Sequence, residues 1–237
     1  MLRPIHILIT VLAITVFSIL TSCCEEDPGP IQETRKDYAL VDFDRLEMGN
    51  AFNIDVEQGN SFSVKVKGDR RNIDDLNVYK NGNTLVVQFD DDGNRHHDTY
   101  IYITMPSLKG VNFSGASISK IRGFESDEDL DFYLSGASIS QLDVKYRAVD
   151  LVVAGASSLV LFGSGDEFHA EISGASTFKA FDYPVRAAMI DISGASEGKV
   201  AVTDELKVTA GGASSVLYRG NPSVVSNISG ASTVQKD

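Results

Sequence analysis

The sequence predicts an all-β protein folded as a right-handed parallel β-helix, with turns of about 19 residues. Three observations predict this fold. A four-residue core of the type Ser-Gly-Ala-Ser recurs seven times in the C-terminal half of the 237-residue chain. Apolar and polar residues alternate on both sides of the cores, as expected for strands with one buried face. No window has an apolar stripe at helical spacing that is long enough for a crossover helix, which argues against βαβ units.

The recurring core marks the same position in each turn. Its glycines are separated by 21, 19, 19, 20, 18 and 18 residues. A unit this short cannot form an independent sheet, but about three short strands and three corners complete one turn of a solenoid. Stacked turns lie about 4.8 Å apart, and crossovers between parallel strands are right-handed. The seven pairs of the structural repeat are Gly115-Ala116, Gly136-Ala137, Gly155-Ala156, Gly174-Ala175, Gly194-Ala195, Gly212-Ala213 and Gly230-Ala231.

Each residue of the core has an expected role at a corner. Glycine permits a positive φ or the close approach of two backbones. We expect the alanine to fit the narrow interior of the bend, so that bulky residues at Ala116 and its equivalents would force the turns apart. The serines are expected to hydrogen-bond to the local backbone or to the serine of the adjacent turn. A contact strip for a partner is the alternative for the serine column, and we favour the structural role.

Residues 38–110 lack the core but continue as predicted strands. Residues 52–57 alternate in polarity, and Asn81-Gly82 between two apolar runs is typical of a tight hairpin. This lead-in is expected to cover the N-terminal end of the helix, where apolar side chains and strand edges would otherwise be exposed. The sequence leaves open whether it forms β-helix turns or an antiparallel cap. The repeat itself is predicted to comprise residues 111–237.

Residues 1–22 are predicted to be a lipoprotein signal peptide. An apolar run over residues 5–20 leads into the sequence Leu-Thr-Ser-Cys, which ends at Cys23. An aliphatic residue three positions before a cysteine, with small residues between, resembles the bacterial signal that is cut before a lipid-modified cysteine. Cys23 is therefore the predicted lipidation site, and residues 23–37 are predicted to be the lipidated N-terminus and a flexible tether. The alternative is an ordinary signal peptide or an uncleaved anchor with a chance cysteine.

The lipoprotein signal, the strand-rich lead-in and the repeated cores together resemble a bacterial family, the putative auto-transporter adhesin, head GIN domain family. The resemblance extends from about Asp42 to Val234, and its repeated core is a specific motif. It implies a β-helical domain of cell-envelope proteins. It also implies no established catalytic residues that could be assigned to positions of this chain.

The charge and the cysteine content exclude several kinds of site. The chain has 21 Lys and Arg against 33 Asp and Glu, a net charge of −12. It therefore lacks the overall basic character of proteins that bind nucleic acid. Both cysteines, Cys23 and Cys24, precede the predicted β-helix, which excludes a disulfide framework, a cysteine zinc site and a catalytic cysteine from that region. We predict no nucleic-acid partner and no cofactor.

The densest polar cluster spans residues 90–98. Carboxylates and imidazoles can bind a divalent cation, so Asp90, Asp92, His96 and His97 are the candidate ligands. The cluster is not an EF-hand loop, because its sixth residue is an arginine where glycine is required. We favour a solvated loop between two strands and predict no metal site.

An enzyme on the same scaffold must also be considered. Glycoside hydrolysis uses two facing carboxylates, and Asp131 and Asp150 occupy the same position in neighbouring repeats. His169 follows in the next repeat, without a Ser or Asp partner indicated by position. We favour exposed strand residues and predict no catalytic residue. A sugar-binding surface would need aromatic side chains, and the tyrosines that leave it open are Tyr79, Tyr100, Tyr102, Tyr133, Tyr146, Tyr183 and Tyr218.

The sequence thus predicts a lipid-anchored outer-membrane lipoprotein whose non-catalytic β-helix is an adhesin-like interaction or spacer module. The expected partners are the membrane, through the N-terminal lipid, and a protein or glycan ligand. Acidic residues after Cys23 resemble a surface-export signal. Few residues follow the last core, so the final turn is expected either to be incomplete and available for self-association or to be closed by Pro222 and nearby polar residues. The alternative is a carbohydrate-active or carbohydrate-binding protein on the same scaffold.

Overall fold

The computed structural model describes residues 29–91, 93 and 95–237. The chain divides into two units at Pro30, and the larger unit is Ile31–Asp237. The predicted signal peptide, the lipidation site Cys23 and the candidate ligand Asp92 lie outside the described residues. In the part of the chain that is described, no helix is long and apolar enough to cross a membrane.

The described residues form sixteen strands and one short helix. In chain order they are β1 (Glu33–Tyr38), β2 (Arg45–Met48), β3 (Phe52–Gln58), β4 (Ser63–Asp69), α1 (Arg70–Asp74), β5 (Leu76–Asn81), β6 (Thr84–Phe89), β7 (Thr99–Met105), β8 (Gly110–Phe113), β9 (Ile118–Leu134), β10 (Ile139–Val153), β11 (Ser158–Ile172), β12 (Thr177–Ile192), β13 (Glu197–Ala210), β14 (Ser215–Arg219), β15 (Ser223–Ile228) and β16 (Thr233–Lys236).

The strands of the C-terminal half stack in parallel, which confirms the predicted β-helix. Strands β9 to β13 pair in sequence order, and each extends from just after one core to just before the next. The register places equivalent repeat positions side by side, as where Asp150 aligns with Asp131 on one side and His169 on the other. Alternate side chains point inward and form one apolar core through the stack. The alternation of apolar and polar residues along the strands therefore produces the apolar core of the stack.

The seven cores form corners that lie in a single file. Their glycines all have a positive φ between 68° and 82°. At each step the alanine N–H donates to the glycine carbonyl of the preceding corner, as from Ala137 to Gly115 at 2.8 Å. A β-carbon on Gly212 would lie 2.6 Å from the carbonyl oxygen of Gly194. Glycine is thus required both for the turn and for the close approach of the turns.

The alanines of the cores face solvent, so our expectation that they fit the interior is wrong. Ala116 and its six equivalents are exposed, whereas the serine that follows each of them is buried. The inward position at the corner therefore belongs to serine. The alanine lies on the outside of the bend because the left-handed glycine turns the chain immediately before it. Repeat identity alone could not reveal this orientation.

The buried serines form a hydrogen-bonded column inside the corners. Ser117 Oγ donates to Ser138 Oγ at 3.1 Å, and Ser138 Oγ donates to the carbonyl oxygen of Ser135 at 2.9 Å. Near the other end, Ser214 Oγ donates to Ser232 Oγ at 3.2 Å. These bonds satisfy hydroxyls that would otherwise be costly to bury. Their burial removes these serines from any contact strip for a partner, whereas the first serine of the cores is half-buried or exposed.

Residues 38–110 contain both arrangements that the sequence left open. β2 pairs in parallel with β6 and β8, and β3 pairs in parallel with β7 and β9. The turn made by β2 and β3 therefore lies between two turns that come later in the chain. β4 and β5 are antiparallel to β7 and β6, and the hairpin from β5 to β6 turns at Gly82.

An eighth corner, without the sequence core, continues the file into this region. Asn50 has a φ of 73° and occupies the glycine position. The N–H of Ala116 points to its carbonyl oxygen at 3.4 Å. Asparagine tolerates the left-handed region better than most residues. The parallel stack thus begins before residue 111, and the predicted domain boundary there does not divide the fold.

The tether prediction is wrong for its last residues, because β1 begins at Glu33. This strand pairs antiparallel with β4, with Glu33 opposite Asp69. The buried carboxylate of Asp69 accepts from the N–H of Gln32 at 2.8 Å and from the backbone and side chain of Arg71 at 2.9 and 2.7 Å. The Arg71 guanidinium and these N–H groups hold the pKa of Asp69 well below its usual range. From Glu33 onward the chain is part of the sheet.

Candidate functional site

Two tyrosines project side by side from β7. In the sequence Tyr100-Ile101-Tyr102-Ile103 the isoleucines are fully buried, whereas Tyr100 and Tyr102 are 38% and 43% exposed. The alternation of a strand places both rings on the outside. We call the outward side of β4, β7, β3, β9 and β10 around these rings the tyrosine face. Its rings are held by a rigid strand in the middle of the sheet.

The strand register fixes the neighbours of the two rings. Tyr102 aligns with Lys65 of β4 and with Asp55 of β3, and Asp55 aligns with Lys120 of β9. Two residues earlier along the same strands, a second row of aligned residues begins, in which Tyr100 aligns with Asn53. Beyond Asn53 that row continues with two isoleucines, each 53% exposed, which are Ile118 and Ile139. The tyrosine face therefore combines aromatic and aliphatic surface with amide, carboxylate and ammonium groups.

The cations of the tyrosine face fall into two groups. Lys67 lies 3.0 Å from Glu33, whose carboxylate raises the pKa of Lys67. Arg122 lies 2.6 Å from Asp55 and also contacts Glu57. Lys65 and Lys120, in contrast, have no hydrogen-bonding or ion-pair partner among the described residues. These two lysines are therefore the cations of this face that remain available to a ligand.

A second candidate surface is a groove of about 360 Å³ along the second halves of β9 to β13. His169 lies at its centre, with Nε2 3.4 Å from Asp191 and Nδ1 3.9 Å from Asp150. As the sequence indicated, Asp150 and Asp131 are neighbours in adjacent turns. The groove thus has the acids and the histidine that a hydrolase would use.

Most acids of the groove are, however, engaged in ion pairs with arginine or lysine. Asp131, which lies beside the groove, contacts Arg45 at 2.8 Å. Arg147 bridges Asp129 and Glu167. Carboxylates that are paired in this way link neighbouring turns, and a paired carboxylate is less available as a free acid or base.

The polar loop between β6 and β7 is packed against the end of the sheet. The Arg95 guanidinium lies 4.1 Å from the ring centre of Phe89 and contacts Asp75 and Asp91. The N–H of Asp90 donates to the backbone of Asp75 at 2.9 Å.

The candidate metal ligands of this loop that the structure describes, Asp90, His96 and His97, are not assembled into a site. His97 Nε2 lies 3.9 Å from Asp69, whose carboxylate already accepts hydrogen bonds from Gln32 and Arg71. Within residues 29–91, 93 and 95–237, no group of three or more His, Cys, Asp or Glu side chains is arranged to hold a metal ion. Asp92 lies outside that set.

The remaining candidate tyrosines do not extend the tyrosine face, and two of them lie on other strands, Tyr79 on β5 and Tyr218 on β14. Tyr146 and Tyr183 are buried, and their hydroxyls donate to the carbonyl oxygens of Leu108 and Tyr146 at 2.6 and 3.4 Å. Burial raises the pKa of Tyr183 to about 12. Tyr133 is exposed, but it lies near the end of β9, where that strand pairs with β8, and not in the first half of β9 that borders the tyrosine face. The sequence did not distinguish these groups, although the period-two pattern of β7 could have identified the outward pair.

The family comparison identifies most of the chain. The model of the family described as putative auto-transporter adhesin, head GIN domain, matches residues 42–222. No curated protein is significantly similar in sequence.

Several solved structures share the fold. A putative adhesin from Bacteroides fragilis superimposes with a TM-score of 0.77 at 19% identity, covering 87% of this chain and 97% of that chain. A putative adhesin from Parabacteroides merdae gives 0.68 at 18% identity, covering 86% and 96%. A putative lipid binding protein from Parabacteroides distasonis gives the same values. Identities this low establish the fold alone. Because the family model covers well over half of the sequence, this chain belongs to the putative auto-transporter adhesin, head GIN domain family.

Proposed function

We propose that the protein is a lipid-anchored outer-membrane lipoprotein whose β-helix acts as a non-catalytic, adhesin-like interaction or spacer module. The observation that carries this proposal is the single file of corners. The strongest pattern in the sequence supports backbone contact between turns, such as the bond from Ala137 to Gly115. A repeat that joins its turns by backbone hydrogen bonds makes a rigid column. A rigid column can present its faces to a partner. Membership of an adhesin-like family supports a place in the cell envelope.

The ion pairing of the groove supports the absence of catalysis. General acid–base chemistry needs a group that can exchange a proton with the substrate. Asp129, Glu167 and Glu205 of the groove contact arginine or lysine. This leaves Asp150, beside His169, as the acid that a test of catalysis must address.

The groove is also where the alternative function, that of a carbohydrate-active enzyme, can be tested. A carbohydrate-active enzyme would use Asp150 or its neighbours on a bound polysaccharide. Incubation of the purified chain with a panel of polysaccharides, followed by analysis of reducing ends, tests this directly. We expect no release of sugar. Release that is abolished by Asp150→Asn but kept by the exposed control Asp37→Asn would replace our proposal with the rival one.

The lipid anchor is proposed from the sequence that ends at Cys23. Radioactive palmitate supplied to expressing cells should label the wild-type chain and the variant Cys24→Ala, and should not label Cys23→Ala. Labelling that survives in Cys23→Ala would contradict the assignment of the anchor.

The envelope location has its own test. Protease added to intact cells should degrade the β-helix if the module reaches the surface, while a periplasmic marker stays intact. Cells that lack the protein should then adhere less to host or bacterial surfaces than cells that carry it. Full protection of the chain in intact cells, with unchanged adherence, would refute an adhesin-like role.

Self-association through the last turn is a further part of the proposal. The side chains of β15 are all exposed, among them Val224, Val225 and Ile228. Equilibrium sedimentation of the purified chain should show a concentration-dependent dimer. The variant Val225→Lys should reduce it, whereas a strict monomer at high concentration would rule self-association out.

A further inference from the structure

We infer that the tyrosine face binds an acidic glycan, an oligosaccharide that carries carboxylate or sulfate groups. This inference rests on the proposed function, because it names the chemical class of the ligand that the module would hold. The family and the similar structures assign no ligand to this surface.

The two exposed rings provide the first part of the site. Tyr100 and Tyr102 are two residues apart on one strand, so their attachment points are about 7 Å apart. Ile101 and Ile103 are fully buried between and beyond them, which anchors the strand from below. A tyrosine offers a broad apolar ring with a polar tip. Two such rings on a flat sheet match the alternating C–H and hydroxyl surface of a sugar chain.

The unpaired lysines provide the second part. Lys65 and Lys120 align with Tyr102 and Asp55 across four neighbouring strands. Three strand spacings separate the lysines, which places them about 14 Å apart on either side of the ring. Neighbouring cations of the same face are already neutralised, as Lys67 is by Glu33. In a chain with a net charge of −12, two ammonium groups without partners beside exposed rings favour a ligand with negative charge.

Hydrogen-bonding groups complete the surface between these elements. Asn53 and Gln141 offer both donors and acceptors, and Asp55 offers acceptors. Asn53 lies in the row of Tyr100, and Gln141 lies beside Lys120 in the row of Tyr102. Sugar hydroxyls need both kinds of partner, which an apolar protein ligand would leave unsatisfied.

Acidic side chains on the same face argue against an anionic membrane as the ligand. Asp37, Asp55 and Glu57 lie among the cations of the rows described above. A lipid surface would meet all of these carboxylates at once and would be repelled by them. A narrow oligosaccharide that runs from Lys65 to Lys120 would cover only Asp55, whose carboxylate can accept from its hydroxyls. It would leave Asp37 and Glu57 uncovered.

The test titrates the full chain, held in a mild non-ionic detergent, with tetragalacturonate and with a sulfated heparin tetrasaccharide. Maltotetraose serves as the neutral control, and isothermal titration calorimetry measures the dissociation constants. We expect at least one acidic oligosaccharide to bind about tenfold or more tightly than maltotetraose, and higher salt to weaken its binding. Binding of the carboxylated or the sulfated sugar alone would specify the anionic group.

Matched variants locate the site. Tyr102→Ala and the double variant Lys65→Gln, Lys120→Gln should each weaken binding about tenfold. Lys179→Gln is the control. It removes a lysine from the same row of aligned residues as Lys120, three strands away on β12, and should leave binding unchanged. Tyr133→Ala removes an exposed tyrosine elsewhere and should also have no effect. Thermal unfolding of each variant verifies that it folds.

The inference is overturned if neither acidic sugar binds better than maltotetraose, or if Lys179→Gln weakens binding as much as the double lysine variant. It is also overturned if monomeric short-chain phosphatidylglycerol binds at this face and the acidic sugars do not. These outcomes are distinct from failure of the proposed function, which protease treatment of intact cells and adherence assays decide without any glycan.

Discussion

The corner glycines are required for two independent reasons, and substitution can separate them. A positive φ costs an L-residue about 1–2 kcal/mol wherever it occurs. At the corners an added β-carbon would also meet the carbonyl group of the preceding turn. Gly82 has the first requirement without the second, because its φ is 59° and no atom lies within 4 Å of the added position.

Gly155→Ala is therefore expected to destabilise the protein by clearly more than Gly82→Ala, which should cost about 1–2 kcal/mol. The added β-carbon of Gly155→Ala collides with the Gly136 carbonyl group, and the backbone of a stacked corner has little room to move. Urea unfolding measures both variants. Equal losses of stability would show that the close stacking of the corners contributes nothing.

The carboxylate of Asp69 is expected to make stability depend on acidity. Its pKa is lowered in the folded state, so its contribution is fully present above the unfolded pKa of about 3.9 and is lost as the pH falls below it. Asp69→Asn should lower the free energy of unfolding by about 1–3 kcal/mol at neutral pH, since it weakens hydrogen bonds to a buried charge.

The difference between the wild type and Asp69→Asn should shrink as the pH falls toward 3, to be followed by urea unfolding at a series of pH values. Asp37→Asn is the control, because Asp37 is an exposed acid paired with Arg35 and exposed pairs contribute little. A constant difference at every pH would contradict the assigned role of the Asp69 charge.

The sequence predicted elements best where one requirement repeats. Seven corners share the same glycine, so their spacing indicated the fold and its period. The eighth corner was missed because Asn50 meets the same backbone requirement without a glycine, and because β3 to β8 separate it in sequence from the next corner. β1 was missed because the residues Glu33–Tyr38 are mostly charged and have no apolar face to form a period-two pattern.

The same limit applies to the candidate site. The alternation that exposes Tyr100 and Tyr102 is visible in the sequence. Their placement beside Lys65 and Lys120 is not, because it depends on β7 pairing with β4 and on β3 lying between β7 and β9. That order of strands departs from chain order, and no local pattern encodes it.

β1 should behave as a strand and not as a tether in solution. Amide hydrogen exchange over residues Glu33–Tyr38 is expected to show protection of alternate amides, since β1 is an edge strand that pairs with β4 on one side. Asp69→Asn should reduce that protection, because the Asp69 carboxylate accepts from the N–H of Gln32 just before the strand. Uniformly fast exchange over β1 would instead restore the tether interpretation.

The whole molecule depends on turns that stack in register through the corner file. Rigidity along that file is what allows the tyrosine face to be presented as a fixed surface. The corner alanines recur in every turn and yet are exposed, because they lie on the outside of the backbone contact that the glycines make. If the corners were not stacked in a single file, neither the proposed interaction module nor the proposed glycan binding at the tyrosine face would be supported.

The most direct test of this account measures distances between spin labels at the exposed corner alanines. The full chain, with Cys23→Ser and Cys24→Ser, is labelled at Ala116→Cys together with either Ala195→Cys or Ala231→Cys. Four and six turns at about 4.8 Å each predict backbone separations of about 19 and 29 Å, so the second pair should be about 10 Å longer. Pulsed electron spin resonance giving that increment would support the stacked file; equal distances for the two pairs, or a shorter one for Ala231→Cys, would contradict it.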